Sequence, residues 1–107
     1  MKILAKIPSQ IKIGALRANV TIVPYIHADD NFRGLFNQRT EELQIDNQLG
    51  GRARDMTFLH EILHMIAINY ELGENESDVS RLANGIFEFL YYGLGIELDW
   101  SDISGTP

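Results

Sequence analysis

Apolar positions recur along this chain with two different periods. In the first half they alternate: residues 3–7 and 11–13 are short apolar alternations separated by Pro8-Ser9-Gln10, which predicts two strands and a turn. Val20, Ile22, Pro24 and Ile26 then alternate with Thr21, Val23, Tyr25 and His27. Proline has no N–H for a ladder, so this segment is predicted to be an edge strand, or to bulge or stop at Pro24. Asp29-Asp30-Asn31 predicts a polar turn. Residues 33–37 and 41–46 are expected to pair as a hairpin across Gln38-Arg39-Thr40, with Leu43 and Ile45 on the core side.

After a linker at residues 47–54, which contains Gly50-Gly51, the period lengthens. Met56, Leu59, Leu63, Ile66 and Tyr70 recur at three- and four-residue steps, predicting an amphipathic helix with that stripe as its core face. This helix is expected to end near Glu71 to Gly73, with Gly73 as its stop. A second helix is predicted from the stripe Val79, Leu82, Ala83, Ile86 and Leu90. Strands followed by two helices make an α+β arrangement, with the helices on one face of a small antiparallel or mixed sheet. A chain of 107 residues, 45% hydrophobic, suits one domain, 1–107, with a single core.

The first helix carries the chemistry. His60-Glu61-Ile62-Leu63-His64 puts two imidazoles four residues apart on one helical face, where both can grip one metal ion, with the Glu61 carboxylate beside it. Two histidines and an adjacent glutamate in this spacing are the zinc-hydrolase signature, with Glu61 as general base toward a zinc-activated water. A catalytic zinc needs a third protein ligand. The chain has no cysteine and no later histidine, so that ligand is a carboxylate unless His27 supplies it. Glu76 extends the stripe of the second helix by one turn and so faces the neighbour on which the stripe packs; Asp78 is the second choice. Glu76 also reads as an ordinary first-turn acid. Asp78, Asn84, Asp55 and Asp46 are candidates for orienting the ligating imidazoles. Tyr70, Tyr91, Tyr92, His27 and Arg54 are candidates for steadying an oxyanion.

The run Thr57-Phe58-Leu59-His60-Glu61-Ile62-Leu63-His64, followed by Glu76-Ser77-Asp78-Val79-Ser80-Arg81-Leu82-Ala83, resembles the small zincin-type metallopeptidase proteins of phages and mobile elements, related to the ImmA/IrrE family. In that family a His-Glu-x-x-His helix precedes a helix reading Glu-x-x-Ala-x-x-Phe-Ala. Ala83 matches that pattern, and Val79 and Leu82 stand where it has Ala and Phe. The resemblance implies a minimal zincin-like fold, zinc held by His60, His64 and Glu76, Glu61 as base, and a peptide or protein substrate such as a transcriptional regulator. It also implies an open-edged strand beside the metal to which an extended peptide adds, for which residues 41–46 are the candidate.

Charge and composition narrow the alternatives. With nine Lys and Arg against fifteen Asp and Glu, a net charge of −6 argues against a nucleic-acid surface. The absence of cysteine excludes disulfides and thiolate zinc sites and suits a reducing compartment. The opening residues are too soon interrupted by Lys6 and Pro8 for a signal peptide, and no apolar run approaches a membrane span, so a cytoplasmic protein is expected. The competing expectation is a non-catalytic accessory protein that binds a partner through the aromatic tail around Tyr91-Tyr92-Gly93-Leu94 and Leu98-Asp99-Trp100. Trp100 folding back to close the core is the commoner fate of such a tail.

Overall fold

A computed structural model describes residues 2–24, 33–73 and 75–103. The elements run β1 (Ile3–Lys6), β2 (Gln10–Ile13), β3 (Leu16–Val23), β4 (Gly34–Asn37), β5 (Glu42–Asp46), α1 (Gly51–Asn69), α2 (Glu76–Glu88), a π-helical turn (Phe89–Gly93) and β6 (Ile96–Asp99). The arrangement is α+β, as the two periods predict. The turn at Asp29-Asp30-Asn31 and the residue His27 lie outside the described residues.

Four strands form a mixed sheet in the order β2, β3, β5, β4. β2 and β3 are antiparallel around Gly14, whose φ of +59° is left-handed backbone that favours glycine. A side chain at Gly14 would also collide with Asn69, whose Oδ1 accepts from Ala15 N at 2.9 Å and so ties this turn to the end of α1. β3 buries Ala18, Val20 and Ile22 in strict alternation and stops at Val23, immediately before Pro24. The predicted hairpin forms, with β4 and β5 antiparallel and Leu43 and Ile45 fully buried.

One expectation about the sheet is overturned. Residues 41–46 contain an inner strand: β5 pairs with β3 in parallel on one side and with β4 on the other. The free edge next to the helices belongs to β4. β5 takes the place between β3 and the strand that precedes it in the chain, β4, an order that local periodicity does not encode.

α1 lies across the sheet, but its buried face is rotated from the predicted stripe. Phe58 and Met65 are in the core with Ile62 packed against it, whereas Tyr70 is exposed and Met56, Leu59, Leu63 and Ile66 are half-buried. The helix ends earlier than Gly73. Leu72 N donates to Ala67 O and Glu71 N to Ile68 O, a pair of C-terminal bonds that places Glu71 in left-handed backbone with φ 55°. α2 packs on α1 through Val79, Ala83 and Phe87, one turn apart, while Leu82 and Ile86 of the predicted stripe are exposed. The sequence stripe averages over a broad apolar arc, and a helix resting on one neighbour buries only its centre.

The C-terminal segment folds back. β6 pairs in parallel with β1, and Trp100 and Ile103 join the core. Trp100 meets Phe58 edge-on at 5.2 Å between ring centroids, and its Nε1 donates to the buried Asp55 Oδ1 at 2.7 Å. Burial holds the Asp55 carboxyl above its ordinary value of 3.8, against the opposing pull of the indole N–H and Arg54. Because the folded value is raised, the native state binds more protons than the unfolded chain above that ordinary value. The Asp55 contribution to stability therefore declines as pH rises through the window between the two values. Asp55→Ala orphans the indole N–H and should cost on the order of 1–3 kcal/mol. Asp55→Asn keeps an acceptor, and should cost less and flatten that pH dependence; urea denaturation at several pH values measures both.

Candidate metal centre

The turn between α1 and α2 brings the site together. Asn75 caps α2, its Oδ1 accepting from Ser77 N at 2.9 Å and Asp78 N at 3.2 Å, so the second helix begins at Glu76 and runs back along the first. Glu76 then reaches both histidines. Its Oε1 is 2.5 Å from His60 Nε2 and its Oε2 is 3.1 Å from His64 Nε2. The two Nε2 atoms are themselves 3.0 Å apart. Two imidazole nitrogens pointed at each other repel unless a proton or a cation lies between them, so this convergence suits a cation-binding group. A tetrahedral zinc with bonds of about 2.0–2.1 Å would hold its ligand atoms roughly 3.3 Å apart. Two sides of the triangle, at 3.0 and 3.1 Å, are within a few tenths of an ångström of that spacing, and the His60 to Glu76 side is shorter.

The donor atoms of His60, Glu61 and His64 also lie within 4.8 Å of one another and can hold a metal ion. The two carboxylates differ in their engagement. Glu76 is exposed at the cleft and touches both imidazoles directly. Glu61 is 8% exposed, and its Oε1 accepts from Phe36 N of β4 at 3.1 Å. Burial raises the Glu61 carboxyl above its ordinary range, opposed by the neighbouring His64 and His60 and by the Phe36 N–H. A buried carboxylate with a raised affinity for protons, oriented by a backbone donor, has the character of a general base.

Comparison with protein-family models, curated proteins and solved structures found no match. The chemistry therefore rests on the site alone.

Of the other residues the sequence singles out, few are near it. Asp78 faces Arg81 at 3.9 Å. Asp55 is bound to Trp100, and Asp46 Oδ1 accepts from Gln48 N. Ser80, one turn beyond Glu76 on α2, places its Oγ 3.4 Å from His60 Nδ1, so a hydroxyl occupies the orienting position expected of an acid. Tyr70, Tyr91, Tyr92 and Arg54 line neither of the clefts that meet at the site; Asn84 does. Arg54 instead donates to Leu49 O and lies over the Trp100 ring.

Gly34 is a position beside the candidate site that sequence reasoning missed. β4 passes close to the histidine helix here, and a Cβ at Gly34 would sit 2.7 Å from Thr57 Cγ2 and 3.1 Å from Glu61 Cγ. Gly34→Ala should push β4 off α1, lengthen the Phe36 to Glu61 bond and cost about 1–3 kcal/mol. Thr57→Ser in the same chain, by removing Cγ2, should recover part of that loss in chemical denaturation. The signal available in the sequence was a glycine inside a predicted strand, which marks close backbone approach.

Proposed function

We propose that this chain is a zinc-dependent metallopeptidase of zincin type. The observation that carries the reading is the convergence of His60 Nε2, His64 Nε2 and the Glu76 carboxylate within 3.1 Å of one another, beside a buried Glu61. His60, His64 and Glu76 would hold the ion. When bound, zinc supplies Lewis acidity, acidifying a water and polarising a carbonyl. Glu61 would accept the proton of the attacking water as the new C–O bond forms and the carbonyl π bond opens, then pass it to the amine nitrogen as the carbonyl re-forms and the C–N bond breaks. The Phe36 N–H holds one Glu61 oxygen in place. Ser80 positions His60. β4, whose outer edge faces the site, is the strand to which an extended peptide would add through the Gly34 N–H and the Gly34 and Phe36 carbonyls, the Phe36 N–H being held by Glu61.

A zincin-type accessory protein that binds a partner is the second reading, supported by the exposed Leu82 (57%) and Phe89 (61%) on the outer side of α2 and the turn that follows. The two separate on Glu61→Gln: an accessory protein keeps its partner affinity, and a peptidase loses turnover. The measurement that tests the metal itself is elemental mass spectrometry on tag-free protein. One zinc per chain is expected, and a chain that takes up none when zinc is offered sinks the peptidase reading. Among the described residues no helix is long and apolar enough to cross a membrane.

A further inference from the structure

The histidines sit where two clefts meet. One, of about 550 Å³, is lined by Arg33, Arg52, Met56 and Thr57; the other, of about 490 Å³, by Leu35, Phe36, His64 and Ile68. Gly34, Glu61 and Glu76 line both, so the clefts are the two ends of one trough running beneath the outer edge of β4.

The ends differ in chemistry. Arg33 and Arg52 have no carboxylate within ion-pair distance among the described residues, and the first turn of α1 carries no acid. Arg52 lies over the Tyr92 ring, 5.2 Å from its centroid, a contact that leaves its charge uncompensated. The two acids of the same cleft are turned elsewhere, Glu76 to the imidazoles and Glu61 to Phe36 N–H. Two arginines on one cleft wall, neither in an ion pair with an acid among the described residues, offer a charge that a ligand carboxylate would complete. The far end offers Leu35, Phe36 and Ile68 and no such charge.

The backbone gives the trough a direction. Asp46 N donates to Arg33 O, so residue 33 turns toward β5. By alternation, the backbone groups of Gly34 and Phe36 turn outward, as the Phe36 N–H to Glu61 bond bears out. A strand added antiparallel, the more stable pairing, would run from the Phe36 end to the Arg33 end.

We infer that the trough selects peptides with an apolar residue at the Phe36 and Ile68 end and an acidic residue at the Arg33 and Arg52 end. On the peptidase reading, on which the position of the cut rests, the acid follows the scissile bond.

The test uses zinc-loaded Glu61→Gln protein and fluorescently labelled dodecapeptides that differ only in a central Leu-Glu-Glu, Leu-Gln-Gln or Leu-Lys-Lys. Fluorescence anisotropy at low salt should show the Glu peptide binding about tenfold tighter than the Gln peptide, with the margin shrinking as salt is added. The margin should vanish in Arg33→Gln/Arg52→Gln and invert toward the Lys peptide in Arg33→Glu/Arg52→Glu. Should Glu61→Gln fail to fold, wild type without added zinc serves for the same titration. Equal binding of Glu and Gln peptides, a margin that survives loss of both arginines, or no binding of any peptide overturns the inference. Cleavage of the Gln peptide by zinc-loaded wild type as fast as the Glu peptide leaves the peptidase reading standing and removes this one. A charge preference without cleavage does the reverse.

Discussion

Replacing Glu76 or His64 by alanine should weaken zinc binding by at least about a hundredfold, while Asp78→Ala leaves it unchanged. Loss of an orienting partner outside the ligand set already costs about 10–100-fold in affinity, and these two residues are proposed as ligands themselves. Glu76 is the carboxylate that meets both imidazoles, whereas Asp78 is turned to Arg81. The contrast between acids two positions apart is what gives the experiment its force, because a diffuse effect of negative charge would weaken binding in both variants. Competition with a chelator of known affinity, read by elemental mass spectrometry, measures the loss. Zinc should also raise the melting temperature of the wild type, by an amount that shrinks in Glu76→Ala, since an ion that binds only the folded chain stabilises it by mass action.

Glu61→Gln should lower peptide turnover by about 10²–10⁴-fold, the usual worth of a positioned general base, with zinc stoichiometry unchanged. The substitution is nearly isosteric, and the amide oxygen can still accept from Phe36 N–H, so the closeness of β4 to α1 should persist. What it removes is the carboxylate that burial has made a better proton acceptor. A single-turnover assay on a peptide cleaved by the wild type, paired with metal analysis of the same sample, reads both quantities. Unchanged turnover would remove Glu61 from the chemistry, and lost zinc would move it into the ligand set.

Much of the site was legible in the linear chain because its main relation is local. Residues four apart on a helix share a face, so His60 and His64 had to converge once the segment was helical. Glu76 required one further step, that the second helix packs on the first, and α2 does pack on α1. The choice of Glu76 over Asp78 rests on register, because Glu76 lies one turn before Val79 and Ala83, the residues that α2 buries. Ser80 was overlooked because a serine within a helix carries no signal beyond its register. The place of Arg52 at the cleft with Arg33 appears only when β4 lies against α1.

By itself, the sequence determined that strands precede two helices, the β4 to β5 hairpin, the inward set of Leu43 and Ile45, and the shared helical face of His60 and His64, because each follows from backbone periodicity within a few residues. Tertiary structure alone decided which strand is the edge beside the site, which arc of each helix is buried, that β6 returns to β1, and that Asp55 meets Trp100 45 residues away. Those outcomes are sums of many weak contacts between distant segments, each competing with alternatives of similar energy, and no short window of sequence contains both partners.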